Sequence, residues 1–148
     1  MKRCQFCTLF LAGALLAPLS VSAENSTSAD GYTIHHNAFS TASLTPEVAK
    51  AYGIQRSKFR GMLNVSVIQD KEGTTGTSVP ARVQASSVPL TGQSSPIPMR
   101  EIKEQDAIYY VGQFPVQDQE TVNFAIEVTP EGAPQTYKIK MDQQFFAD

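Results

Sequence analysis

The feature that most constrains this chain is a two-residue alternation that returns along most of its length. It is cleanest at Thr121–Thr129, where Val122, Phe124, Ile126 and Val128 alternate with Asn123, Ala125 and Glu127. Successive side chains of a strand point to opposite faces, so this pattern gives one dry face and one wet face. Tyr32–Phe39, Met62–Gln69 and Gln135–Phe145 repeat it, and Val79–Ser87, Met99–Glu104 and Asp106–Phe114 are further expected strands. Turn formers at Asp70–Gly73 and Pro130–Gly132 separate neighbours, and the proline-rich Val88–Pro98 reads as a loop or a crossing between sheets. About seven strands of this kind predict an all-β domain, an immunoglobulin-like or fibronectin-like β-sandwich whose two sheets hide each other's dry faces. The Cys…Trp…Cys core of antibody domains is missing, so the likeness is one of architecture. A small barrel is the rival, but the wet faces carry Asn123, Glu127, Lys138 and Lys140, unlike the lipid face of an outer-membrane barrel.

One short helix interrupts the strands. Thr45 can cap it, Pro46 suits its first position, Glu47 faces the positive end of its dipole and Gly53 ends it. Two turns survive only by packing, through Val48, Ala51 or Tyr52.

The beginning of the chain has a different character. Lys2 and Arg3 precede an apolar stretch from Phe6 to Leu19, and Ser20-Val21-Ser22-Ala23 supplies small residues at a cleavage site. Residues 1–23 are therefore expected to be a signal peptide cut after Ala23. The apolar stretch is shorter than the roughly 20 residues that span a bilayer. Neither Cys4 nor Cys7 lies at the end of this stretch, so no lipid attachment is expected, and the remaining chain has no cysteine for a disulfide or thiol chemistry. Residues 24–30 are polar and small and are expected as a flexible tail, with residues 31–148 forming a single domain. Two of the 12 basic residues lie in the leader and none of the 14 acidic ones does, which leaves the exported part acidic. An acidic domain argues against nucleic acid and against a polybasic membrane contact.

Candidate chemistry is sparse. His35 and His36 are the two histidines and Asn37 follows them. In a strand the pair points to opposite faces, so one metal ion shared by both needs a bulge or partners from elsewhere, such as Met62, Met99 or Met141. Arg56, Lys58 and Arg60 form a local basic cluster that suits an anion or an acidic partner, or simply blunts an edge strand. Glu101, Glu104 and Asp106 surround Lys103 and read as a solvated strand end. No nucleophile elbow, calcium loop, phosphate loop or cysteine-based metal site is present, so neither an enzyme nor a cofactor is expected.

Several stretches together carry a resemblance. They are Ile34-His35-His36-Asn37-Ala38-Phe39, Leu44-Thr45-Pro46-Glu47-Val48-Ala49, Tyr52-Gly53-Ile54-Gln55-Arg56-Ser57-Lys58 and Leu63-Asn64-Val65-Ser66-Val67. Arg100-Glu101-Ile102-Lys103-Glu104-Gln105-Asp106-Ala107-Ile108-Tyr109-Tyr110 and Gln143-Gln144-Phe145-Phe146 complete them. In this the chain resembles the DUF4426 family of exported proteins from Gram-negative bacteria. The resemblance implies a periplasmic location and no activity. The expected function is a non-enzymatic module that binds a periplasmic protein partner, with His35, His36, Asn37, Arg56, Lys58, Arg100, Glu101 and Asp106 as its candidate surface. The alternative is a small-ligand or metal (copper or zinc) protein that uses His35 or His36.

Overall fold

A computed structural model describes residues 25–90 and 92–147. The expected signal peptide and its cleavage site lie outside the described residues. The strands are β1 (Ser26–Ala29), β2 (Tyr32–Ser40), β3 (Arg60–Gln69), β4 (Thr77–Ser78), β5 (Ala81–Pro89), β6 (Ser95–Ile97), β7 (Arg100–Glu104), β8 (Ala107–Pro115), β9 (Glu120–Pro130) and β10 (Tyr137–Phe145). A 3-10 turn at Thr41–Ser43 and the helix α1 (Pro46–Ala51) join β2 to β3.

Two antiparallel sheets result. The first runs β1-β2-β3-β8-β7, with β4 also paired to β3, and the second runs β10-β9-β5-β6. β8 pairs with the first half of β3 and β4 with its end, so two strands share one neighbour. The Ser78 hydroxyl accepts the Ile108 backbone N–H at 3.0 Å and joins these two strands.

The core lies between the sheets and follows the alternation. Ile34 and Ala38 of β2, Leu63, Val65 and Val67 of β3, and Phe114 of β8 meet Val122, Phe124, Ile126 and Val128 of β9. Phe114 stacks edge-on against Phe124 and Phe145, with ring centroids 5.0 and 5.6 Å away. The β-sandwich expected from the sequence is thus the architecture observed, with more strands than the seven expected.

The additional strands are short. Within residues 24–30, expected as a flexible tail, Ser26–Ala29 form β1, paired antiparallel to β2 from Ser26–His35 to Ala29–Tyr32. Its small side chains give no apolar period; backbone pairing holds it, helped by side-chain contacts of Thr27 to His36 and of Ser28 to Thr33. β6 falls inside the segment expected as a loop, where Ile97 reaches the core at 4% exposure.

The first sheet is covered on both faces at one end. On its outer side Ala49 of α1 and Ile54 pack on Met62 and Val111, flanked by Phe39, Leu44, Tyr52, Ile102 and Tyr109. Ala49 is the buried residue of the helix, whereas Val48 and Ala51, expected to pack, are exposed and Tyr52 is half-buried. The cap is as expected, with the Thr45 hydroxyl accepting the Val48 N–H at 3.3 Å. Gly53, at φ +62°, turns the chain where a side chain would be strained.

Candidate functional site

β2 places its two histidines on opposite faces of the first sheet. His36 points into the sandwich and is 6% exposed, while His35 is half-buried on the outer face. They do not form one site.

His36 instead meets residues that lie far away in sequence. Its Nδ1 is 3.3 Å from Met141 Sδ, and its Nε2 is 3.3 Å from Thr27 Oγ1. Its backbone N–H donates to the Asn25 carbonyl at 2.9 Å. Met141 belongs to β10, the edge strand of the second sheet, so the pair closes the sandwich along the seam where β2 and β10 approach. The same seam is closed further on by Tyr32 against Tyr137, with centroids 6.3 Å apart, and by the Tyr137 hydroxyl, which donates to Asp30 at 3.1 Å. Burial first, and then the positive charge of His35, hold the His36 imidazolium below its ordinary pKa. His36 is therefore kept neutral, the state in which imidazole binds a metal.

Two tautomers fit the contacts. With the proton on Nδ1, the ring donates to the thioether and accepts from Thr27. With the proton on Nε2, the ring donates to Thr27, and the Nδ1 lone pair faces the sulfur. The second arrangement is that of a metal-ligating histidine, whose other nitrogen is fixed by an oxygen. His36 Nδ1 and Met141 Sδ, 3.3 Å apart, are the two side-chain atoms here that would hold a metal ion. An imidazole and a thioether suit copper(I). Two protein ligands fall short of the four that structural zinc takes. Among the described residues no cluster of three or more His, Cys, Asp or Glu side chains could hold a metal.

The remaining candidates do not meet at one place. Arg56 donates to the Ala42 carbonyl at 3.1 Å and Arg100 donates to the Tyr52 carbonyl. Glu101 accepts from the Tyr110 hydroxyl at 3.0 Å and pairs with Lys103 at 3.2 Å. Lys58 is exposed before β3, and Asp106 is exposed in the turn between β7 and β8. Asn37 and Arg100 do share one row of the outer face, but Asn64 and Val111 stand between them. Sequence reasoning missed Thr27, inside the expected tail, and the pairing of His36 with Met141, which needs the register of two different sheets.

The family model described as "Domain of unknown function (DUF4426)" matches residues 26–148. Among solved structures, the chain is similar to a DUF4426 family protein from Pseudomonas aeruginosa PAO1, with 34% identity, a TM-score of 0.70, and 84% of this chain and 96% of that one covered. FetP of uropathogenic Escherichia coli strain F11 shares the fold at 10% identity and a TM-score of 0.58, over 84% of this chain and 94% of its own. A copper-bound variant of FetP does so at 11% identity and a TM-score of 0.59, over 85% and 97%. No curated protein matches the chain. Among the described residues no helix is long and apolar enough to cross a membrane.

Proposed function

The chain belongs to the DUF4426 family, and we propose that it is a non-enzymatic periplasmic protein that binds copper(I) through His36 and Met141. The observation that carries this reading is the 3.3 Å approach of Nδ1 to Sδ, which brings an imidazole, a ligand that suits copper, beside a soft thioether. Thr27 supports it by holding the other ring nitrogen. Burial supports it by keeping the imidazole neutral. The leader-like residues 1–23 support export. A protein of the same fold is described as copper-bound, and another FetP preparation was expressed in the periplasm.

The test is an anaerobic titration of processed, untagged protein with copper(I) against a chromophoric chelator. One equivalent is expected to bind, and His36→Gln and Met141→Leu are each expected to weaken it at least tenfold. Protein that takes up no copper, or folded variants that bind as well as the parent, would overturn the reading.

The protein-partner reading rests on a different place. Phe59 and Phe146 are 53% and 57% exposed at one end of the sandwich. The two lie there because the Phe59 carbonyl accepts the Val116 N–H at 3.0 Å and Asp118 accepts the Ala147 N–H at 2.9 Å. Exposed aromatic rings suit contact with a protein partner. A partner captured from periplasmic extract by the parent and equally by the double variant Phe59→Ser, Phe146→Ser would exclude this end as the contact.

A further inference from the structure

β7 is the last strand of the first sheet, and among the described residues no strand pairs with its outer edge. Its inner edge is taken by β8, in register from Arg100–Val111 to Glu104–Ala107. β3 and β8 separate it from β2, which carries His36, so this edge is independent of the copper reading.

One hydrogen bond fixes which backbone groups the edge presents. Antiparallel strands alternate between residue pairs that exchange both backbone bonds and pairs that exchange none. The Ile108 N–H donates to the Ser78 hydroxyl at 3.0 Å, away from β7. Ile108 and its partner Lys103 are therefore a pair that exchanges none. The alternation then spends the backbone groups of Arg100, Ile102 and Glu104 on β8. The N–H and C=O groups of Glu101 and Lys103 are left on the open edge.

The side chains share this symmetry about Ile102. Arg100-Glu101-Ile102-Lys103-Glu104 carries the opposite charge at each position when read backwards. A second copy laid antiparallel and centred on Ile102 sets Glu101 against Lys103, Arg100 against Glu104, and Ile102 against itself. The same arrangement brings the open backbone groups of Glu101 to those of Lys103. Opposite charges directly across two strands stabilise the pair and like charges destabilise it. A slip of two residues places Glu101 against Glu101 or Lys103 against Lys103, and a parallel copy in register meets like with like throughout. Charges on an edge ordinarily prevent pairing; here they select one partner and one register. The four charged side chains are exposed and Ile102 is half-buried. Arg100 and Glu104 both bond to Tyr52, and Glu101 pairs with Lys103 at 3.2 Å. Guanidinium and carboxylate each keep capacity for a further bond.

We propose that the open edge of β7 pairs antiparallel with β7 of a second copy of this chain, centred on Ile102, so that the first sheet continues across a two-fold axis. A contact of this kind is self-complementary and closes as a dimer. Five residues of strand bury far less than a standard stable interface, so the dimer is weak, and its exposed charge pairs make it sensitive to salt.

Sedimentation equilibrium of the processed protein, carried to millimolar concentration, tests this. The parent is expected to dimerise and to do so less as salt is added. Lys103→Glu and Glu101→Lys each turn the central pairs into like charges, and each variant alone is expected to dimerise about tenfold more weakly. An equimolar mixture of the two has opposite charges at both pairs and is expected to associate as tightly as the parent. Lys103→Pro removes an N–H that β8 does not use, so it is expected to stay folded and monomeric. A parent that is monomeric at millimolar concentration would overturn the proposal and leave this edge to a different strand or to none. So would a Lys103→Pro or Lys103→Glu protein that dimerises like the parent, or a mixture of folded variants that associates no better than its components. Glu101→Lys also removes the acceptor of the Tyr110 hydroxyl; if it fails to fold, the two Lys103 variants decide.

Discussion

The backbone N–H of Ala81 donates to the hydroxyl of Tyr110 at 2.8 Å, and the bond runs from one sheet of the sandwich to the other. Tyr110 is 6% exposed, and its hydroxyl in turn donates to Glu101 at 3.0 Å. Replacing it with phenylalanine keeps the ring packing but leaves the Ala81 N–H without a partner. An orphaned donor of this kind costs about 1–3 kcal/mol. Urea unfolding of Tyr110→Phe should show an unfolding free energy lower by that amount, hence a lower midpoint at an unchanged slope, because the exposed surface is the same. A midpoint equal to the parent's would show that water satisfies Ala81.

The tyrosine also has a signature at high pH. Burial is the main cause that raises its pKa above the ordinary 10.0, and the Ala81 N–H partly opposes it. Unfolding gives a tyrosine that releases its proton more readily. The contribution to stability is whole below about pH 10 and is lost as pH rises through the folded value. Stability of the parent between pH 9 and 11 should therefore fall more steeply than that of Tyr110→Phe.

His36 behaves in the opposite sense. Its folded pKa lies below 6.5 because burial, and then His35, disfavour the imidazolium. The unfolded chain binds the proton first as pH falls, so the contribution is present above about 6.5 and is lost below it. Urea midpoints measured from pH 7.5 to 5.5 should decline in the parent and decline less in His36→Leu. Equal slopes would place the acid sensitivity elsewhere.

Gly112 sits in β8 where β6 and the following residues cross it. A Cβ at this position meets Met99 Sδ at 2.6 Å and the Pro98 carbonyl oxygen at 2.9 Å. The thioether can swing away but the backbone carbonyl cannot. Gly112→Ala should therefore destabilise by about 1–3 kcal/mol, the range for overpacking, in spite of alanine's smaller backbone entropy cost. Thermal unfolding checks it, and a variant that melts at or above the parent's temperature contradicts the close approach.

The parts of the fold that were legible are those where burial repeats every second residue. In β9 the expected dry face of Val122, Phe124, Ile126 and Val128 is the buried face. β1 was not legible because four residues of serine, threonine and alanine hold their place by backbone pairing, which leaves no mark on composition. Ala49 replaced the expected Val48 on the packed side of α1 because one residue of helix turns the face by about 100°, and a helix of six residues is too short for its period to be read. The metal candidate was half visible. The sequence marked His36 as chemically able and showed it pointing away from His35. Its partner Met141 lies 105 residues later and comes into reach only through the packing of β2 on β10.

Helix α1 is held by its ends more than by its length. Six residues are far below what is stable alone in water. The amide of Val48 donates to the Thr45 hydroxyl at 3.3 Å, the amide of Ala49 to the Thr45 carbonyl at 3.0 Å, and that of Tyr52 to the Val48 carbonyl at 3.2 Å. Thr45→Ala removes the first of these and should cost about 0.5–2 kcal/mol. The cost falls on the second, outer cluster around Ala49, Ile54, Met62 and Val111, not on the core between the sheets. Local opening is the form this takes when a small unit is weakened alone. Hydrogen exchange in Thr45→Ala should therefore accelerate at the amides of Ala49, Tyr52 and Ile54, while those of Phe124 and Ile126 in β9 lose protection only by the change in global stability. If all five accelerate by the same factor and match the global change, α1 opens only with the whole sandwich, and the outer cluster is part of one cooperative core.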